Sequence, residues 1–211
     1  MKSTILLHGG AGPRVLNQEQ GKIYMHSLKK VLQKVYPKLA AGMPALNAVA
    51  MATRLLEDDP LYNAGLGSKI QRDGRIRMSA AIMDGYRRRF AGCVNVERVR
   101  NPILLAKALL KEQDRVLCTQ GALAFARQSG MEMRSPYTRK ERQAWRQSQS
   151  GKSGTVGAIA IDEKGHLAAA TSTGGRGFEY PFRVSDSATS AGNFANHFGA
   201  VSATGVGEEI V

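Results

Sequence analysis

The stretch Gly154-Thr-Val-Gly-Ala-Ile-Ala-Ile-Asp162 decides the fold. Its small and β-branched residues predict a strand that begins at Thr155. Glu163-Lys-Gly165 then predicts a three-residue hairpin loop, because glycine stands where such a loop requires a left-handed backbone. His166–Thr173 completes an antiparallel hairpin as the return strand.

The predicted hairpin brings two threonine side chains together. In an antiparallel pair with Asp162 facing His166, Thr155 lies opposite Thr173. Opposed Cα atoms are roughly 4.5–5.5 Å apart, close enough for the two hydroxyl groups to meet. We therefore predict a contact between the hydroxyl groups of Thr155 and Thr173.

Thr155 follows a glycine, and this pair indicates a specific chemistry. A hydroxyl group is a weak nucleophile unless a base lies beside it, and a threonine at a chain start carries such a base as its own α-amino group. The pKa of an α-amino group is ordinarily about 7.7–8.0, so part of it is neutral near pH 7. Thr155 would gain this amine if the Gly154–Thr155 bond were cut, and Gly154 has no side chain to obstruct a twisted peptide bond. The same pattern also fits a threonine that only begins a strand, a common place for this residue.

The segment before this pair differs in character from the rest of the chain. Residues 130–154 are polar, basic and rich in Ser, Gln and Arg, with almost no periodic apolar positions. They predict a flexible linker that ends at Gly154. The chain therefore divides into residues 1–154, which end in this linker, and residues 155–211, which start with the hairpin. We expect both parts to belong to one structural domain.

The first part contains both strands and helices. Ser3–His8 predicts a buried strand that leads into a glycine loop. Apolar residues at helical spacing predict a helix over residues 20–41, and Pro44 suits the first turn of a second helix, which ends at Glu57. Four more elements are predicted: strands over 75–83 and 90–96, and helices over 101–112 and 119–128.

The composition is that of a globular protein. The chain has 211 residues, 43% of them hydrophobic, which is enough for one domain with a sizeable core. Its cysteines and histidines show no zinc-type spacing. No apolar stretch is long enough for a signal peptide or a membrane span. These features predict a cytoplasmic protein without membrane contact.

The net charge of +13 is unusual for an enzyme of small acidic substrates. The basic residues gather in two clusters, one over residues 87–100 and the other over residues 134–152. Such clusters can contact nucleic acid or anionic surfaces. The basic residues do not alternate with aromatic residues as in a single-strand-binding surface, so solvated loops are the simpler explanation. Nucleic acid is therefore not the expected partner.

Six motifs carry a resemblance to a known family. In chain order they are His8-Gly-Gly-Ala-Gly12, Leu56-Glu-Asp-Asp-Pro-Leu-Tyr-Asn-Ala-Gly-Leu-Gly67, Met83-Asp-Gly85, Gly154-Thr-Val-Gly-Ala-Ile-Ala160, Thr171-Ser-Thr-Gly-Gly175 and Ser202-Ala-Thr-Gly-Val-Gly-Glu208. Each motif alone is weak, because glycine-rich loops are common, but six in order along the chain are specific. Together they resemble the plant-type L-asparaginase and isoaspartyl peptidase family.

This resemblance implies an α/β fold, the four-layer αββα sandwich of the N-terminal-nucleophile (Ntn) hydrolases. It implies a precursor that cuts itself between Gly154 and Thr155, so that residues 1–154 are the α-subunit region and residues 155–211 the start of a β-subunit. The implied reaction is hydrolysis of the side-chain amide of L-asparagine and of isoaspartyl (β-aspartyl) dipeptides through an acyl-threonine intermediate. This chemistry requires no cofactor.

The family's catalytic residues match positions of this sequence. Thr155 matches the nucleophile, and Thr173 matches the threonine that hydrogen-bonds to it. Thr204 and Gly205 match the pair that lines the substrate pocket, with Thr204 in the oxyanion hole. Asn63 matches the second oxyanion donor, a kind of group whose removal typically lowers the rate about 10²–10³-fold.

Two charged residues match the family's substrate clamps. Arg183 matches the guanidinium that binds the α-carboxylate of the substrate in a bidentate manner. Asp186 matches the carboxylate that binds its α-ammonium group. Without the family, a local ion pair on the surface explains these two residues equally well.

The resemblance also implies an ion and an assembly. A loop whose backbone carbonyl groups hold a structural sodium ion matches the positions Leu56, Glu57, Asp59, Tyr62, Ala64 and Leu66. The expected partners are a small-molecule substrate and a second copy of the chain, in a homo-oligomer of cleaved protomers. Members of the family continue beyond the motif that ends at Glu208, so we expect the sandwich to be incomplete at the C-terminus of this truncated chain.

Three alternatives remain open. A truncated, non-catalytic paralogue could use its basic clusters as a binding or interaction protein. A glycosylasparaginase-like amidase is a neighbour in the same superfamily, although it usually implies secretion or lysosomal targeting and the sequence shows no signal segment. A protease of the threonine-aspartase kind is the third, although nothing in the sequence indicates a protein-sized substrate.

Overall fold

The computed structural model describes residues 1–11, 17–147 and 154–210. It is a mixed α/β structure with two short 3₁₀ turns, at Gly65–Gly67 and Asp186–Ala188. Its other elements in chain order are β1 Thr4–His8, α1 Gln18–Ala40, α2 Ala45–Glu57, β2 Met78–Asp84, β3 Arg89–Val96, α3 Pro102–Leu109, β4 Val116–Cys118, α4 Thr119–Gln128, α5 Arg139–Arg146, β5 Val156–Ile161, β6 Leu167–Thr173, β7 Asn193–Ala195, β8 Ala200–Ser202 and α6 Gly207–Ile210.

The strands of the described ranges form two sheets. Six of them lie in the order β1-β5-β6-β2-β3-β4, and β7 and β8 form a separate pair. Within the larger sheet β3 and β4 are parallel, and every other neighbouring pair is antiparallel. This order puts the hairpin of β5 and β6 between β1 and β2, inside the sheet.

The hairpin has the register that the sequence predicts. Gly157 pairs with Thr171, and continuing this pairing towards the open end brings Thr155 opposite Thr173. Gly165 has a φ of +79°, the left-handed backbone predicted for the last loop residue. The local pattern of residues in this stretch was therefore sufficient to predict its geometry.

The two faces of the larger sheet have different neighbours. Ala80 and Ile82 of β2 belong to a core shared with the helices, whereas Met83 packs with Ala169 of β6 and Ala195 of β7. Helices α1 to α4 pack on the first face, and the β7–β8 pair packs on the second. Odd-numbered side chains of β6 therefore point into the space between the two sheets.

The helices bury the apolar positions that the sequence predicts. In α1, Val31, Val35 and Leu39 recur at a spacing of four residues and are buried in the core. Burial of such side chains contributes roughly 1.5–3 kcal/mol each. Helix α2 contacts both β5 and β6, so its last residue, Glu57, lies behind the hairpin.

Some predicted boundaries differ from the structure. Helix α2 begins at Ala45, because Pro44 has an extended backbone and precedes the helix as its N-cap. Helix α3 ends at Leu109 rather than at residue 112. Strand β2 begins at Met78 rather than at residue 75, because the backbone of Gln71 turns to donate a hydrogen bond to the residue 75 carbonyl at 2.8 Å.

Two elements were not predicted. Strand β4 has only three residues without alternation, and its parallel pairing with β3 places it in the sheet. Helix α5 lies inside the segment that the sequence predicted as a flexible linker, so residues 139–146 of that segment are helical instead. Trp145 attaches this helix to the rest of the structure, since its ring packs against the core and its Nε1 donates a hydrogen bond to the Gln71 carbonyl at 3.0 Å. Residues 148–153 of the predicted linker lie outside the described residues.

Candidate active site

Thr155 lies immediately before β5 and is buried. Its Oγ1 donates a hydrogen bond to Thr173 Oγ1 at 3.1 Å. Ser187 Oγ lies 3.5 Å from the same Thr155 oxygen. The predicted contact between the two threonines is confirmed, and a third hydroxyl group, from outside the hairpin, joins it.

The Gly154–Thr155 peptide bond packs against the N-terminal glycine loop. A Cβ atom added to Gly10 would overlap the Gly154 backbone, 2.6 Å from its carbonyl carbon and 3.1 Å from Thr155 N. A Cβ added to Gly154 would lie 2.9 Å from Gly9 O. Gly10 also has a φ of +109°, which glycine adopts without strain. Space and backbone conformation therefore both require glycine at position 10.

A chain of hydrogen bonds lies between the sheets beside Thr155. His8 Nε2 and Ser202 Oγ are 2.8 Å apart, and Ser202 Oγ is 2.7 Å from Thr171 Oγ1. Thr171 Oγ1 also donates to Asn193 Oδ1 at 3.1 Å. Burial lowers the pKa of His8, and the nearby Thr155 backbone opposes this effect only in part. A neutral imidazole is therefore the favoured form beside the hairpin at neutral pH.

Asn63 is connected to Thr173 through a glycine. Gly175 N donates to Thr173 Oγ1 at 3.3 Å, and Asn63 Nδ2 donates to Gly175 O. The backbone supports this arrangement, because Gly174 N donates to Asn63 O at 2.9 Å. A side-chain amide carries two N–H groups, so Asn63 keeps one for a further acceptor. The geometry is compatible with the predicted role of Asn63 as an oxyanion donor.

Arg183 and Asp186 lie in the loop that leads to Ser187. Asp186 is buried, and its Oδ2 atom has no hydrogen-bond partner within the described ranges. Burial raises the pKa of Asp186, and the positive charge of Arg183 opposes the rise. Asp186 directly precedes Ser187, and Ser187 contacts the predicted nucleophile Thr155. The Oδ2 atom without a partner in the described ranges therefore lies close to the site in the chain.

Thr204 and Gly205 lie beside the end of the N-terminal glycine loop. Thr204 Oγ1 accepts a hydrogen bond from Ala11 N at 3.1 Å. A Cβ atom on Gly205 would meet only Ile210 Cδ1, at 3.4 Å, so this position borders open space. The structure thus brings Thr155 into direct contact with Thr173, and it connects Thr204 to the site through the loop that packs on the Gly154–Thr155 bond.

The loop predicted to hold sodium is closely packed around its glycines. A Cβ atom on Gly65 would overlap Glu57 O, and one on Gly67 would overlap Tyr62 O. Ala64 O accepts a hydrogen bond from Gly67 N at 3.2 Å and keeps a second lone pair. Such carbonyl oxygens suit a hard cation. By contrast, the described residues contain no cluster of three or more His, Cys, Asp or Glu side chains that could hold a metal ion.

Glu57 has a side-chain role that the sequence did not reveal. Its Oε1 accepts hydrogen bonds from Ser172 Oγ at 2.7 Å and from Ile103 N at 2.9 Å. The carboxyl group therefore joins α2 to α3 and to the strand that carries Thr173. Burial raises the pKa of Glu57 to about 8, although these hydrogen bonds act in the opposite direction.

Sequence reasoning missed other side chains of the site. Ser187 gave no signal beyond its position after Asp186. His8 and Ser202 begin two of the six motifs, but neither was assigned a role before the structure joined them through a hydrogen bond. Glu208 ends the last motif, and the structure places its carboxylate 2.6 Å from Arg183 Nε.

The chain is similar over nearly its whole length to known proteins. The family model described as Asparaginase matches residues 1–211. An isoaspartyl peptidase/L-asparaginase of Nostoc is 42% identical over 229 aligned positions, which cover 98% of this chain and 72% of that protein. An isoaspartyl peptidase of Escherichia coli is 36% identical, with 100% of this chain and 73% of that protein covered. A plant-type L-asparaginase of Pyrobaculum calidifontis is 35% identical, with 99% and 76% covered. By sequence, by its hairpin and by these similarities, the chain belongs to the asparaginase family.

Proposed function

We propose that the chain is a self-processing hydrolase that cuts the side-chain amide of L-asparagine and the isopeptide bond of β-aspartyl dipeptides. The hydrogen bond of 3.1 Å between Thr155 Oγ1 and Thr173 Oγ1, directly after a peptide bond that packs on the glycine loop, carries this proposal. Several relatives are named isoaspartyl peptidase or L-asparaginase, which supports the same reaction.

Processing makes the nucleophile in this proposal. Thr155 Oγ1 attacks the carbonyl carbon of Gly154, the C–N bond to Thr155 breaks, and an ester forms between the two residues. Water hydrolyses the ester, which leaves a carboxylate on Gly154 and a free amine on Thr155. The glycine loop supports this step because it packs directly against the Gly154–Thr155 bond, and only a residue without a side chain fits at position 10.

The free amine of Thr155 then acts as the base. It takes the hydroxyl proton while Oγ1 attacks the side-chain carbonyl carbon of the substrate, and the protonated leaving group departs as ammonia or as an amino acid. Asn63 and Thr204 donate hydrogen bonds to the oxyanion. Water attacks the acyl-threonine, releases L-aspartate and restores the hydroxyl group.

The proposed substrate is held by its free amino-acid end. Arg183 binds the α-carboxylate, and the unpartnered Oδ2 of Asp186 binds the α-ammonium group. Gly205 leaves open space beside this pair. Because both clamps bind the aspartyl part, the group that leaves can vary between ammonia and an amino acid.

We further propose the architecture and assembly of the family for this chain. The β7–β8 pair, packed on the inner face of the larger sheet, would be the beginning of the second sheet of an αββα sandwich. The carbonyl groups of the loop at positions 56–66 would hold a structural sodium ion, since Gly65 and Gly67 let these groups approach closely. The active form would be a homo-oligomer of cleaved protomers, and we expect it to act in the cytoplasm.

The alternative of a basic binding protein receives less support. Arg100 pairs with Asp58 and Glu132, and Arg87 pairs with Asp84, so acidic partners already neutralise part of the first basic cluster. The similar proteins named above are peptidases and asparaginases. Neither the glycosylasparaginase nor the threonine-aspartase alternative gains support from the structure.

The proposal is tested by release of L-aspartate from a β-aspartyl dipeptide. The purified protein is expected to release it, and Thr155→Ala is expected to reduce release to background, because the neighbouring hydroxyl groups of Thr173 and Ser187 gain no α-amino group of their own as a base. Thr155→Ser should retain part of the activity, since serine keeps the hydroxyl group. Equal release by Thr155→Ala and the unaltered protein would rule out the proposed nucleophile.

A further inference from the structure

Two arginines and one glutamate form a bridge of ion pairs that includes Arg183, one of the two proposed substrate clamps. Arg183 Nε donates to Glu208 Oε1 at 2.6 Å, and Arg176 Nη1 donates to Glu208 Oε2 at 3.1 Å. We call these three side chains the arginine–glutamate bridge. Both arginines lie after β6 in the chain, whereas Glu208 lies in α6, so the bridge joins two separate segments of residues 155–211.

The bridge uses only one edge of the Arg183 guanidinium. Glu208 binds the Nε edge, and within the described ranges no hydrogen bond occupies the edge formed by the two terminal nitrogens, which suits a second carboxylate. A Cβ atom added to Gly207 would lie 2.7 Å from Arg183 Nη2 and 2.5 Å from Asp186 Oδ1. Gly207 therefore borders both proposed clamps at the point where they come together.

The charges of the bridge leave one positive charge for a ligand. Two guanidinium groups and one carboxylate sum to a single positive charge, which suits the α-carboxylate of an aspartyl group. Hydrogen bonding from Arg183 lowers the pKa of Glu208, so its carboxylate is ionised at neutral pH. Asp186 nearby has a buried Oδ2 without a partner in the described part of the chain, which suits the ammonium group of the same ligand.

Orientation is the property that the bridge adds. An arginine side chain has many rotamers, and bidentate binding of a carboxylate requires its planar end to be fixed in direction. Arg183 is mostly buried, with 13% of its side chain exposed, and in the described structure Glu208 is its ion-pair partner. A contact to Nε fixes the plane of the guanidinium without occupying the edge that meets the substrate.

We propose that Glu208 is a positioning residue that holds Arg183 in the orientation that binds the substrate α-carboxylate, with Arg176 as the second cation of the bridge. The inference rests on the proposed function, since it concerns the clamp of the same site. It assigns Glu208 to ligand binding and not to the chemical step or to processing.

Binding of L-aspartate, the expected product, tests this role without requiring turnover. Isothermal titration calorimetry would compare the unaltered protein with Glu208→Ala, Glu208→Gln and Glu209→Ala. Glu209 is a matched control, because it is the next residue, is exposed and forms no ion pair in the described ranges. We expect Glu208→Ala to raise the Kd for L-aspartate about tenfold, in line with loss of a charged hydrogen bond. Glu208→Gln should fall between, because its amide oxygen still accepts from Nε, and Glu209→Ala should stay within twofold.

Mass spectrometry of the same variants, which measures cleavage at the Gly154–Thr155 bond, distinguishes the positioning role of Glu208 from the proposed function. Glu208→Ala should be cut as fast as the unaltered protein, because the bridge does not contact this bond. An unchanged Kd in Glu208→Ala would overturn the positioning role, and so would absence of L-aspartate binding to the unaltered protein. Failure of the unaltered protein to be cut, with the Kd difference intact, would instead overturn the proposed function and leave the bridge as an aspartate-binding device.

Discussion

Replacing Thr173 by valine removes one hydroxyl group from the site and keeps the side-chain shape. Thr173 Oγ1 accepts two hydrogen bonds, from Thr155 Oγ1 at 3.1 Å and from Gly175 N at 3.3 Å. Thr155 and Thr173 are both buried, so water replaces the lost acceptor of the Thr155 hydroxyl group poorly. Valine suits a strand at least as well as threonine, and we therefore expect the sheet to be preserved.

The size of the effect follows from the cost of an unsatisfied buried donor. This cost is about 1–3 kcal/mol, and every 1.36 kcal/mol corresponds to a factor of ten in rate. If the lost bond orients the Thr155 hydroxyl for attack, kcat/KM for a β-aspartyl dipeptide should fall about 5–150-fold. Cleavage at the Gly154–Thr155 bond should slow by a similar factor, because the same hydroxyl group attacks in both reactions.

The assay is a comparison with a second buried threonine. Thr53→Val makes the same chemical change in α2, where the hydroxyl group is buried and has no partner in the described ranges. This control should keep both rates within twofold. If Thr173→Val also kept both rates within twofold while folding normally, the orienting role of Thr173 would be refuted.

Three further outcomes are expected. Gly10→Ala should slow cleavage more than tenfold, measured by gel electrophoresis over time, because its Cβ would overlap the Gly154 backbone and its φ is +109°. Gly21→Ala is the control and should be cut normally, because its Cβ would meet no atom of the described residues within 4 Å. Asn63→Ala should lower kcat about 10²–10³-fold with little change in KM, and a change confined to KM would contradict an oxyanion role. Burial raises the pKa of Glu57 to about 8, because the folded protein favours the neutral carboxyl group. The stability gained from this preference is fully present below the ordinary pKa of a glutamate and is lost as the pH rises through about 8. Glu57→Gln keeps the acceptor oxygen without this titration, so its Tm relative to the unaltered protein should rise between about pH 5 and about pH 9; a constant difference would show that Glu57 titrates normally.

The hairpin could be predicted from the sequence because its determinants are local. A period-two pattern, a three-residue loop and Gly165 fix which side chains face each other, and the contact of Thr155 with Thr173 follows from them. Helix α4 was predicted with the observed bounds, Thr119–Gln128, for the same reason: its pattern is contained in one short stretch.

The remaining parts of the site depend on contacts between distant segments. Ser187 reaches Thr155 from the short 3₁₀ turn Asp186–Ala188, whose position against the hairpin no periodic pattern encodes. The raised pKa of Glu57 results from its burial between α2, α3 and β6, and this packing is not visible in the local sequence around position 57. Trp145 shows the same limit for the fold, since its contact with the distant Gln71 carbonyl is not visible in the local sequence of α5.

The central claim is that Thr155 becomes the first residue of a new chain. Intact mass spectrometry after incubation near pH 8 tests it most directly. We expect two fragments separated between Gly154 and Thr155, and a single uncut mass for Thr155→Ala. A single uncut mass for the unaltered protein, or equal cutting of Thr155→Ala, would show that Thr155 does not become an N-terminal nucleophile by self-cleavage.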